Sequence, residues 1–174
     1  MYLSAFMPTR SVNTALLVGI LIAVSTSQNS QATEPTRRFI AADSSKNRVA
    51  VIDETGETEW EHQIGALHDL HVLPNGNVLL QLSWTEVAEI HPKNGEIVWR
   101  YDAGKRPDNV GKRLEIHAFQ RLANGRTIVA ESGPGNITEL DENLNVTHSM
   151  AMKVSKPDAH RDTRLVRQLE SGNY

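Results

Sequence analysis

No cysteine occurs among the 174 residues of this chain. That excludes disulfide staples, thiolate metal sites and thiol nucleophiles, and it removes the residue on which a lipoprotein anchor is built. Aromatic residues are sparse, three each of tryptophan, tyrosine and phenylalanine. Positive charge is not in excess: 18 Lys and Arg face 21 Asp and Glu, giving a net charge of −3 and a pI near 6.2. The basic residues are scattered rather than striped, so no nucleic-acid partner is expected. No window sets apolar residues at i, i+3, i+4 and i+7 between helix caps, which excludes a helical solenoid. A glycine-rich phosphate loop is also missing, because Gly133-Pro134-Gly135 lies between strand-like runs rather than ahead of a helix.

Long hydrophobic runs are missing too. Val12 to Val24 is an apolar stretch of roughly 13 residues, broken by Asn13 and Thr14, where a membrane-spanning helix needs about 20. With Arg10 ahead of it and small residues behind it at Ser25, Thr26, Ser27 and Ala32, it reads as a cleavable export signal over residues 1–27, followed by a linker, 28–37. The expectation is an exported chain, periplasmic or extracellular, with no stable membrane span after cleavage. The remaining residues, on the order of 140, suffice for one packed core.

What the sequence does have is repetition. Residues 68–80, HDLHVLPNGNVLL, return as 117–129, HAFQRLANGRTIV, and again in part as 164–174, RLVRQLESGNY, at a spacing of roughly 48 residues. Each copy opens a unit of four short β-branched or aliphatic runs bounded by turn chemistry. Asn75-Gly76 and Asn124-Gly125 are the strongest hairpin signals, and both residues of such a pair are expected to accept positive φ. The units fall at 38–63 (strands two to four of a first blade), 68–102 (blade two) and 116–150 (blade three). The run 164–170 reads as the first strand of a fourth.

Tandem four-stranded antiparallel units of this length predict an all-β fold, a β-propeller with about three blades present. A β-sandwich explains the turns but not a repeat that stays in phase. Propellers close with about four to eight blades, so the expectation is an incomplete ring. It is either a fragment of a longer propeller or a unit that completes a ring by self-assembly.

The fourth runs carry a second pattern, Asp53-x-Thr55-Gly56 leading to Trp60, and His91 to Gly95 leading to Trp99. This resembles the repeat of the pyrroloquinoline-quinone-like propellers, and the His-Asp…Leu-Pro-Asn-Gly-Asn run beginning at His68 is similar to the repeat of the arylsulfotransferase-like propellers. The resemblance covers essentially everything after Arg37. It implies that Trp60, Trp99, Gly56 and Gly95 serve blade-to-blade docking, and that a channel histidine can accept a sulfuryl group. Blade three departs from the pattern over residues 143–148, having neither the glycine nor the tryptophan. No quinone ligand can be placed and no cofactor or metal is assigned.

His68 and His117 hold the same place at the start of successive inner strands, and His160 lies just ahead of the third. Two readings stay open: a repeated hydrogen-bonding strut, or imidazoles converging at the channel mouth on a metal or an anion. Asp69, Glu115 and Asp162 are candidates to orient these rings. Arg161, Arg164 and Arg167 are candidates for an anion pocket, and Trp84, with no counterpart in the next unit, for a ligand contact. The expected function is a non-catalytic binding or scaffold module for a small molecule, glycan or protein at the channel mouth. The alternatives are a sulfotransferase-like or quinoprotein-like enzyme, or a fragment without independent function.

Overall fold

The computed structural model describes residues 37–65 and 67–174; the export-signal reading of residues 1–27 and nearly all of the linker lie outside the described residues. Eleven strands are described: β1 (Phe39–Asp43), β2 (Arg48–Ile52), β3 (Thr58–Gln63), β4 (Leu70–Val72), β5 (Val78–Gln81), β6 (Glu86–Ile90), β7 (Ile97–Asp102), β8 (Glu115–Arg121), β9 (Thr127–Ser132), β10 (Asn136–Leu140) and β11 (Val146–Ala151). They form three antiparallel sheets in chain order, β1 to β3, β4 to β7 and β8 to β11. The described fold is therefore nearly all β. The first sheet has three strands and the others four, as the repeat predicts, and the sheets do not close into a ring.

Alternation along each strand explains how the sheets stack. In β5, Val78 and Leu80 enter a core with Val49 and Ile64 of the first sheet, while Leu79 between them enters a second core with Ile116, Phe119 and Val129 of the third. Both faces of the middle sheet are thus covered, and its strand β5 is buried along its whole length. Trp60 packs against the first of these cores and Trp99 against the second, so each tryptophan sits between consecutive sheets. The indole Nε1 of Trp99 is buried and makes no hydrogen bond; the Arg121 guanidinium instead lies 4.8 Å from the ring centroid, a cation–π contact.

A bulge recurs in the outermost strand of every sheet. The pairing slips by one residue between Val51 and Ile52, between Glu89 and Ile90, and between Glu139 and Leu140, leaving Glu59, Val98 and Thr147 as the extra residues. Each is next to Trp60, Trp99 or His148, so His148 occupies the tryptophan position in blade three. The turn before that strand is also kept. Asp53 and Asp141 each accept the backbone N–H groups two and four residues on, and His91 Nδ1 accepts from Lys93 N in the same manner. Leu144 replaces the turn glycine of blade one and takes φ of +67°, a left-handed conformation that costs a non-glycine residue roughly 1–2 kcal/mol.

Two expectations need correction. In the Asn-Gly hairpins only the glycine has positive φ, +82° at Gly76 and +86° at Gly125. The loop has three residues, closed by Gly76 N to Leu73 O and Leu73 N to Asn77 O, and the Asn75 side-chain Oδ1 accepts from Asn77 N while the Asn75 backbone stays out of the left-handed region. A three-residue loop of this kind needs one left-handed position, where a two-residue loop needs two.

The run 164–170 is not a strand, since strand structure requires a paired neighbour and none lies beside it among the described residues. Its turn is nevertheless formed, with Gly172 N on Leu169 O and Leu169 N on Asn173 O, and Val166 is buried against Ala118, Ile128 and Ile137 of the third sheet.

Candidate functional site

His117 is the extra residue of a second kind of bulge. In the β8–β9 ladder Ile116 pairs with Glu131 and Ala118 with Ala130, so His117 has no partner. Such a bulge bends the strand and re-aims the side chain it carries. It turns the His117 ring, completely buried, toward the start of the inner strands, beside Glu115 two residues earlier. Trp84, in the β5–β6 loop, is held there because its carbonyl accepts from Ile116 N at 2.7 Å. His160 arrives from the irregular segment after β11, where Asp158 and Asp162 cap a tight turn: His160 N donates to Asp158 and Asp158 N to Asp162.

These elements bring three imidazoles and an indole together. The His68 and His117 ring centroids are 4.5 Å apart and edge-on, and those of His117 and His160 are 5.5 Å apart. Trp84 stands 5.6, 5.9 and 5.7 Å from His68, His117 and His160. Glu115 ties the group: one carboxylate oxygen lies 2.8 Å from His160 Nδ1 and 3.3 Å from His117 Nε2. One ligand atom from each of Glu115, His117 and His160 lies within 4.8 Å of the others. Tetrahedral ligands about 2.0–2.1 Å from a zinc ion stand about 3.3 Å apart, so a small adjustment of the three side chains would accommodate one.

The three arginines separate in role. Arg161 is largely exposed and pairs at 3.8 Å with Asp158 rather than with the rings. Arg167 is occupied: it makes a two-pronged pair with Asp69, both contacts at 2.9 Å, and also donates to the Phe119 and Val166 carbonyls. Arg164 alone faces the imidazoles, with one guanidinium nitrogen 3.4 Å from His68 Nδ1 and 3.5 Å from His117 Nδ1. Burial first, and the Arg164 charge second, hold both imidazoles below their ordinary pKa and so favour the neutral rings.

Of the acids named as ring orienters, Glu115 alone touches the clustered histidines. Asp69 instead contacts His71 and accepts from Phe119 N, besides holding Arg167. Burial opposes its ionisation, yet the close His71 ring and the Arg167 hydrogen bonds prevail and bring its pKa down to about 2. His68 is held by its backbone, with N donating to Gln81. The nearness of Glu115 to His117 had a sequence signal, since only one residue separates them, while the bulge at His117 is what aims the ring.

No family model matches the chain, and no curated protein matches it in sequence. Among solved structures, the propeller domain of Swd1 from Myceliophteria thermophila aligns at 14% identity and a TM-score of 0.52, over 65% of this chain and 39% of that one. Virginiamycin B lyase from Staphylococcus aureus aligns at 12% identity and a TM-score of 0.51, over 80% of this chain and 48% of that one. The chain folds as part of a β-propeller. A dihydro-heme d1 dehydrogenase, NirN, gives 21% identity and a TM-score of 0.50 over 79% of this chain and 29% of that one. These likenesses are of fold alone, and the chain spans about a third to a half of the length of the propellers it matches.

Proposed function

We propose that this propeller segment is a binding module whose inner-strand mouth holds a divalent transition metal on Glu115, His117 and His160. The observation that carries the proposal is the convergence of two imidazoles and one carboxylate, with one ligand atom from each within 4.8 Å of the others. Two nitrogens and a carboxylate oxygen are a donor set suited to Zn²⁺ or Fe²⁺, and three protein ligands leave a position open. Glu115 is mostly enclosed and His117 wholly so; the Arg113 guanidinium beside that carboxylate is exposed and 3.6 Å away, so a bound dication would supply the close positive partner that an enclosed carboxylate needs. Trp84 and His68 line the remaining side and offer an aromatic wall to whatever takes the open position. Exported residence belongs to the same proposal, supported by Arg10 and the apolar stretch 12–24.

Calorimetric titration of the metal-free full chain with Zn²⁺, and with Co²⁺ followed by visible absorption, tests the reading. One tight equivalent with the intense bands of four-coordinate cobalt is expected, weakened more than tenfold in Glu115→Gln and in His160→Ala. Both side chains are only partly buried, so circular dichroism should show both variants folded. Binding that survives both substitutions unchanged would sink the proposal.

A further inference from the structure

We infer that metal binding at Glu115, His117 and His160 creates an oxyanion pocket between Arg164 and His117, so that metal and oxyanion bind cooperatively. The inference rests on the metal-site reading above. It starts from proton positions. A guanidinium only donates hydrogen bonds, and Arg164 faces Nδ1 of both His68 and His117 at 3.4 and 3.5 Å. Both Nδ1 atoms therefore accept, and both rings carry their proton on Nε2. For His117 the other side of the ring agrees, because Nε2 points at the Ala159 carbonyl, 3.2 Å away, and at Glu115.

A metal bound among Glu115, His117 and His160 takes His117 through that same Nε2. The ring remains neutral only by moving its proton to Nδ1. An N–H of His117 then faces an N–H of Arg164, donor against donor, and their contact is lost. What replaces it is an acceptor of hydrogen bonds lying between the two. The ligand class that satisfies two converging donors beside a guanidinium and a dication is an oxyanion: a carboxylate, sulfate or phosphate. Arg164 is exposed and has room to turn toward it, and Trp84 provides a flat face for the body that carries the anionic group.

Calorimetry of the full chain with sulfate, loaded with zinc and without it, reads the coupling, and acetate in a second series separates a planar from a tetrahedral oxyanion. Sulfate or acetate is expected to bind at least tenfold more tightly to the zinc-loaded chain, and that anion to tighten zinc binding by the same factor. Arg164→Gln should bind zinc more tightly than the parent chain in anion-free buffer, since no cation opposes the new N–H, and should lose the coupling. Long-range proton–nitrogen correlation spectra should place the His117 proton on Nε2 without zinc and on Nδ1 with it. Equal affinity for both anions with and without zinc overturns the pocket while leaving the metal site standing. So does coupling that persists undiminished in Arg164→Gln, or a His117 proton on Nδ1 before zinc is added. A chain that binds no zinc in anion-free buffer overturns both.

Discussion

Replacing Asp69 by asparagine tests how firmly the inner strands are tied to one another. Asp69 precedes β4, Phe119 lies in β8 and Arg167 in the third copy of the repeat, so one carboxylate joins three units through Arg167 and Phe119 N. Its side chain is about one-tenth exposed, and its pKa falls from the ordinary 3.8 to about 2. That displacement corresponds to roughly 2.5 kcal/mol of folding free energy at ~1.4 kcal/mol per tenfold change. Because the folded pKa is the lower one, the stabilisation is present in full above about pH 4 and disappears as the pH falls from about 4 to 2. Urea unfolding of the full chain should show Asp69→Asn less stable by about 2–3 kcal/mol at pH 7, a midpoint shift of about 1.5 M for an ordinary slope. The two chains should converge near pH 2. A cost that is the same at pH 2.5 as at pH 7 would refute the argument, since it would come from shape rather than charge.

Leu144→Gly should stabilise the chain by about 0.5–1 kcal/mol, because it relieves the left-handed strain at φ +67° while adding some freedom to the unfolded chain; a thermal melt checks the sign. Gly133→Ala should destabilise far more than Gly125→Ala: both have positive φ, but a Cβ at Gly133 would collide with the Arg113 carbonyl oxygen and one at Gly125 meets nothing within 4 Å. Glu131→Ala should cost about 3–5 kcal/mol in urea unfolding, since it strips the buried acid that accepts from Tyr101, Arg106 and Asn109. Burial and then the Glu131 charge raise the Tyr101 phenol above its ordinary pKa. Absorbance at alkaline pH should therefore show Tyr101 ionising only after the other tyrosines.

The blades were legible because their signals are local. Turn residues such as Gly76 and Gly125 lie within the segments they shape, and alternation in β5 needs only neighbouring residues. The two tryptophans announced the stacking because large aromatics at a fixed interval need a surface to bury. Leu144 was harder to read: an asparate-capped turn persists after its glycine is gone, as Asp141 still accepts the same backbone groups. At the site, the histidines could be named but not their partners. Whether Glu115 meets His160 depends on how the segment 152–163 returns, and no pattern within that segment reports it. The bulge at His117 arises from the pairing of β8 with β9 and leaves no mark in β8 itself. Glu131 escaped for a related reason, because its partners Arg106 and Asn109 come from the β7–β8 connection.

The turn at Leu169 to Asn173 bears on the order in which this protein folds. Its two closing hydrogen bonds match those at Leu73 to Asn77 and Leu122 to Arg126, yet among the described residues no strand flanks it. A turn that needs no ladder is written in its own few residues, and a hairpin seeded there pays little loop entropy to zip its strands. Each of the three copies that contain this turn thus carries a local starting point for its own hairpin. Chain collapse can begin at several points at once, with the face-to-face stacking of finished sheets, and the assembly of the histidine cluster across them, left for last.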